Sequence, residues 1–247
     1  MKQVLGDRKT IAVLLAPALV TYSVVMLAPM LWSLGYTLFA GNPVRGFTWS
    51  GLDNLTKLFT DPKARQAIAF TIKYALTVTT GQVLVGYLLA LLFVFFLKRA
   101  SGVIRTLTFF PVVLPTVAVS LLFEKLFEIA PTSGPVNSLI TALGGQQVNW
   151  FGAGSTAFAV IAIMDIWRSM GFYAVLLYAG LVDISEDVIE SARLDGAGGW
   201  RLARHIVLPM SWPVLISALI FSINGTLKVF DSIYALTAGG PGNQTTR

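Results

Sequence analysis

Five apolar runs, each about as long as a bilayer is thick, set what this chain can fold into. They lie at about 11–38, 74–97, 107–127, 156–181 and 212–236. At about 1.5 Å of rise per residue, a helix needs roughly 20 apolar residues to cross the hydrocarbon core. Inside that core every backbone N–H and C=O must be bonded internally, so runs of this length read as spanning helices. Only 12% of the residues are charged and mean hydropathy is +0.72, against about 25% charged in a soluble domain. The first run is about twice the length of a signal-peptide core. It reads as a retained membrane helix, with Pro17 and Pro29 predicting kinks. The absence of cysteine excludes a disulfide framework and a thiolate metal site.

Lysine and arginine in short loops orient such a bundle. Lys2, Arg8 and Lys9, the 98–105 loop with Lys98, Arg99 and Arg105, and the 183–211 segment carry the basic residues, whereas 128–156 has none. The N-terminus is therefore expected in the cytoplasm. The 41–73 segment departs from the rule with Arg45, Lys57, Lys63, Arg65 and Lys73, partly balanced by Asp53 and Asp61, but alternation of the spans places it outside. The net charge of +6 is assigned to this bias at the cytoplasmic face rather than to nucleic-acid binding.

The longest polar interruption of the second half is 190–209, ESARLDGAGGWRLARHIVLP. Ser185 is placed to cap a helix whose first turn holds Glu186 and Asp187, where the helix dipole favours carboxylates. That helix is expected to stop at Asp195-Gly196, since glycine suits the left-handed residue beyond a helix end. A second short helix is expected over about 199–207, with Trp200, Ala203, Ile206 and Val207 on one arc and Arg201, Arg204 and His205 on another. Pro209 is expected to end it. The result is a compact knob of two short helices.

Glu190-Ser191-Ala192, three residues, Gly196, nine residues, Ile206, one residue and Leu208-Pro209 closely resemble the EAA motif of permease subunits of bacterial ABC importers. Ser191 departs, where that family usually has alanine. Gly51-Leu52-Asp53-Asn54, Leu58-Phe59 and Asp61-Pro62 are similar to the first outer loop of the carbohydrate-importing branch. Phe230-Asp231-Ser232-Ile233-Tyr234, Thr237 and Gly239-Gly240-Pro241-Gly242 are similar to the segment after that branch's motif-bearing loop. The resemblance implies an all-α polytopic helical bundle of the type I ABC importer permease (MetI-like) kind over 1–247, with five spans present and the usual sixth missing. It implies a bacterial or archaeal cytoplasmic membrane and inward transport of a sugar or sugar-like solute by alternating access. The implied partners are a second permease subunit, two ATPase subunits, an extracytoplasmic solute-binding protein and membrane lipid. ATP and magnesium would sit on the ATPase, with no cofactor on this chain. In the family the EAA loop, here 183–211, is the coupling helix that sits in a groove of the ATPase. Carried over, Glu190, Ser191, Ala192, Asp195, Gly196, Ala197, Ile206, Leu208 and Pro209 form the coupling surface. Glu190 would make polar contacts at the groove rim, Ala192 and Ala197 would permit close approach, and Gly196 would supply the turn. A permease for a non-sugar solute and an ion-coupled secondary transporter are the alternatives.

Polar groups at membrane depth are functional suspects by default. Asn224, Lys228 and Asp231 are spaced i, i+4 and i+7, one face of a helix, and read either as a polar wall of the translocation path or as a structural ion pair. Ser169, Gly171 and Tyr173 are similarly placed in the fourth run. Tyr173 could stack on a sugar ring or simply pack. Asp165 and Arg168, three apart, are expected to pair, and Glu124 and Lys125 to snorkel toward an interface. Catalytic signals are weak: no Gly-Lys dipeptide marks a P-loop. Gly152-Ala153-Gly154-Ser155-Thr156-Ala157 lacks a strand–helix context, and His205 has neither cysteine nor second histidine to share a metal. The chain is therefore not expected to be an enzyme.

Overall fold

The computed structural model describes residues 8–97, 101–129 and 132–239. Lys2, Lys98, Arg99 and the tail beyond Gly239 lie outside the described residues. The chain divides into two compact units, Met1–Arg65 and Gln66–Arg247.

In the first unit, α1 (Arg8–Tyr22), a π-turn (Ser23–Leu27) and α2 (Ala28–Tyr36) make an apolar helix of 28 residues from Lys9 to Tyr36. Pro17 is carried inside α1. The irregularity expected at Pro29 takes the form of the π-turn just before it, where the Ala28 N–H bonds the Ser23 carbonyl. Widening the turn makes room for a residue that can offer no N–H. A hairpin follows, β1 (Phe39–Asn42) pairing antiparallel with β2 (Gly46–Trp49), where the sequence suggested only a polar loop. Its turn is held by Asn42 Oδ1, which accepts from the N–H groups of Val44 at 3.0 Å and Arg45 at 2.8 Å, an Asx-type turn. In α3 (Asp53–Thr60), Asn54 donates to the carbonyls of Thr37 at 3.1 Å and Phe39 at 2.8 Å.

The second unit is helical. Helix α4 (Pro62–Phe95) starts well ahead of the expected span at 74. The third apolar run is not one helix. It divides into α5 (Ser101–Val113) and α6 (Thr116–Leu126), bent by 97°. Proline disfavours helical geometry at the residue before it, so the break falls at Leu114 and Pro115 becomes the cap of α6. Helix α7 (Pro135–Ala142) packs under a loop organised by buried Asn137. Its Nδ2 donates to the carbonyls of Glu128 and Val148, both at 3.1 Å, and its Oδ1 accepts from Val148 N–H at 2.9 Å. Helix α8 (Gly154–Val182) leads to α9 (Glu186–Leu194), then α10 (Gly199–Leu202), a second π-turn (Ala203–Val207) and α11 (Leu208–Met210). A 70° bend at Ser211 separates these from α12 (Trp212–Leu227). The fifth run also breaks, since α12 ends at Leu227 and α13 (Asp231–Thr237) begins after a three-residue gap. Among the described residues, three helices are long and apolar enough to cross a membrane, or up to five spans if each bent pair counts as one.

Close approach is engineered by glycine where α8 meets its neighbours. A side chain at Gly86 of α4 would meet Tyr173 Cβ at 2.7 Å, and one at Gly171 would meet the Thr108 carbonyl oxygen of α5 at 2.0 Å. Two apolar cores result. One gathers Phe70, Tyr74, Val78, Phe123, Ile161 and Ile233. The other gathers Val83, Ala90, Leu177, Leu181, Leu202 and Leu215.

Candidate functional site

The two cores do not touch along the helices; a polar layer divides them. On α4 the order is Tyr74 and Val78, then Thr79 and Gln82, then Val83. On α8 it is Ile161 and Met164, then Asp165, Arg168 and Ser169, then Tyr173 and Leu177. The order reverses on α12 and α13, which run from Leu215 and Ala218 through Ser222 and Thr226 to Ile233.

A buried polar group is costly unless hydrogen-bonded, and this layer is densely bonded. Asp165 Oδ2 accepts from the hydroxyl of Tyr74 and from that of Ser232 at 2.8 Å, joining α4, α8 and α13. Gln82 Nε2 donates to the Asp165 carbonyl at 3.3 Å, and its Oε1 accepts from Ser222 at 2.7 Å. Thr226 donates to the Ser222 carbonyl at 2.9 Å and lies 3.3 Å from the Thr79 hydroxyl. Within the layer is a cavity of about 140 Å³ lined by Tyr74, Gln82, Asp165, Arg168, Ser169, Tyr173, Ser222, Gly225, Thr226 and Val229.

Of the residues singled out from sequence, Asp165, Arg168, Ser169 and Tyr173 reach this cavity. Gly171 does not; it is the contact point of α8 with α5. Asn224, Lys228 and Asp231 are all exposed and share no helix face, because α12 stops at Leu227 and Lys228 is its cap. Lys228 and Asp231 form no ion pair, and neither do Asp165 and Arg168, whose carboxylate is held by Tyr74 and Ser232 instead. Lys125 pairs with Glu128 at 2.7 Å rather than standing alone. Sequence reasoning missed Tyr74, Gln82, Ser222 and Thr226. The available signal was polar side chains three or four apart in apolar helices, Thr79 with Gln82 and Ser222 with Thr226.

The knob closes α9 with a Schellman motif. The Gly196 N–H bonds the Arg193 carbonyl at 3.0 Å, the Ala197 N–H reaches back to Ala192 at 2.8 Å, and Gly196 has φ of +81°. These bonds satisfy carbonyls that a helix end otherwise leaves open. Ser185 occupies the cap position, but its backbone carbonyl rather than its side chain makes the bond, to Val188 N–H at 3.2 Å. Ala192 is buried, Ala197, Ile206 and Leu208 are half-buried, and Glu190, Ser191, Asp195, Gly196 and Pro209 are exposed. Two expectations fail here. Pro209 does not end the second helix, which runs on to Met210 because the π-turn, with Leu208 N–H on the Ala203 carbonyl, opens the backbone ahead of the ring. The π-turn also shifts the helical phase, so Leu202 is buried and Trp200 is 73% exposed. Leu194, at the tip, is 89% exposed. At the bend beyond the knob, buried Ser211 meets the Tyr87 hydroxyl of α4 at 3.0 Å.

The chain is 33% identical over 234 residues to the lactose transport system permease protein LacF of Rhizobium radiobacter, covering 93% of this chain and 77% of the relative. It is 34% identical over 248 residues to the sulfoquinovosyl glycerol transport system permease protein SmoG of Agrobacterium fabrum, covering 98% and 78%. Its fold is similar to a chain of a bacterial ABC transporter involved in the import of the acidic polysaccharide alginate, with a TM-score of 0.79, 23% identity, and coverage of 99% of this chain and 82% of that one. Residues 82–247, which hold most of the polar layer and the whole knob, match the model of binding-protein-dependent transport system inner membrane components, and the chain belongs to that family of multi-pass membrane permeases.

Proposed function

We propose that this chain is a permease subunit of an ATP-binding-cassette importer that moves a sugar or sugar-like solute inward by alternating access. The observation that carries this reading is the polar layer with its cavity, set between two dry cores on helices whose other end bears the knob. Sugar hydroxyls need paired donors and acceptors, and hydroxyl, amide and carboxylate groups line this cavity. The knob, with its exposed Glu190, Asp195 and Leu194, is the coupling surface for a separate ATPase subunit that binds ATP and magnesium. A second permease completes the path, and an extracytoplasmic binding protein delivers solute. The lysines and arginines of the N-terminal, 98–105 and 183–211 segments support a cytoplasmic N-terminus and knob. Relatives named as permeases for lactose, trehalose/maltose and sulfoquinovosyl glycerol support the solute class. The test is capture of the candidate ATPase by wild type, Gly196→Pro and Glu190→Arg chains. Wild type is expected to retain it and the variants to lose it while still eluting as folded permease. Variants that bind and drive ATP hydrolysis as wild type does would overturn the coupling assignment.

A further inference from the structure

Building on the reading of the cavity as a solute site, we propose that the solute carries an anionic group, a carboxylate, sulfonate or phosphate, and that Arg168 is the residue that grips it. The inference comes from counting what the cavity has left to offer. The Tyr74 and Ser232 hydroxyls are spent on Asp165, the Ser222 hydroxyl on Gln82, and the Thr226 hydroxyl on a backbone carbonyl. Ser169 and Tyr173 add neutral hydroxyls to the wall. Arg168 alone is unspent as a cation. It lines the cavity, its Nε is buried without a hydrogen-bond partner among the described residues, and it makes no ion pair there.

Asp165 does not fill that role. It is 4% exposed, its Oδ2 is held by Tyr74 on α4 and Ser232 on α13, and it makes no ion pair with Arg168, acting on it only through space. Arg168 is half-buried with its Nε out of water, and a charged donor so placed regains its lost hydration only from a partner with good geometry. Its planar fork of N–H donors matches an oxyanion with two parallel bonds, which a neutral hydroxyl cannot supply. Arg168 thus selects among sugar-like solutes rather than holding the fold.

The experiment is ATP-driven uptake into vesicles bearing the assembled transporter, with four probes: a glucuronate-bearing disaccharide, a sugar sulfonate, a sugar phosphate and maltose. Wild type is expected to take up at least one acidic probe in preference to maltose. Arg168→Gln should cut that uptake by at least about tenfold, the value of a charge-assisted bond. Arg168→Lys, which keeps the charge and loses the fork, should restore part of it. Elution volume and thermal midpoint of the variants report that they remain folded. Preference for maltose with no change in Arg168→Gln overturns this inference and leaves the sugar-permease reading standing. Uptake of none of the four probes by wild type overturns both.

Discussion

The knob and the polar layer belong to one compact unit, yet they are built on opposite principles. Residues 185–210 take their shape from local hydrogen bonds: those that form α9 and its turn connect residues no more than five apart, while Ala192, Leu202 and Val207 root the knob in the second core and Leu194 and Trp200 are turned outward at the tip. The polar layer is closed and long-range. Tyr74 reaches Asp165 across 91 residues of sequence, Ser232 reaches it across 67, and Ser222 reaches Gln82 across 140. Local bonding lets the knob keep its shape while it moves with the core beneath it, as the coupling role proposed for it requires. A layer stitched from four helices changes only if the helices themselves move, as the proposed alternating access requires.

If this division is right, damage on one side should leave the other readable. The largest effect is expected from Asp165→Leu, which strands two buried hydroxyls. It should lower stability by about 2–4 kcal/mol, seen as a fall in thermal midpoint in detergent, with Asp165→Asn recovering much of the loss. Gly196→Ala should cost about 1–2 kcal/mol at a left-handed position. That cost should appear as faster amide exchange confined to 192–199, with the midpoint of the whole chain hardly changed; a matching global loss would erase the distinction. Ser222→Ala should cost about 1 kcal/mol and reduce solute uptake while ATPase capture is untouched. Tyr87→Phe should cost about 0.5–1 kcal/mol. Because its bond to Ser211 sits where the knob joins α12, it is the one substitution expected to leave capture and solute binding intact while lowering uptake per ATP hydrolysed.

The same contrast explains what the sequence made legible. Asp195-Gly196 marks a helix end wherever it falls, because the need for a positive φ is local. The knob's outline could therefore be read directly. Its phase could not, since a 100° wheel assumes a regular helix and the π-turn at Ala203–Val207 adds a residue to one turn. Hydropathy found the apolar runs but was blind to breaks inside them. Pro115 was the sign of the first. Asp231, a carboxylate in the first turn of a new helix, was the sign of the second, and its proximity to Lys228 made it look like half of an ion pair instead. The cavity's membership was illegible for a different reason. Nothing in the neighbourhood of Gln82 announces Ser222, and only packing of α4, α8 and α12 puts them 2.7 Å apart.

The two π-turns each end two residues before a proline, Pro29 in one case and Pro209 in the other. A turn of this type holds one residue more than its α-helical equivalent. Deleting a single residue from 203–207 would let the helix relax to ordinary winding and swing everything before it by about 100° relative to everything after. The bearing of the knob's tip on α12 is thus set by chain length at one turn, so among related permeases a one-residue insertion or deletion there would redirect the tip while every side chain of the motif stayed the same.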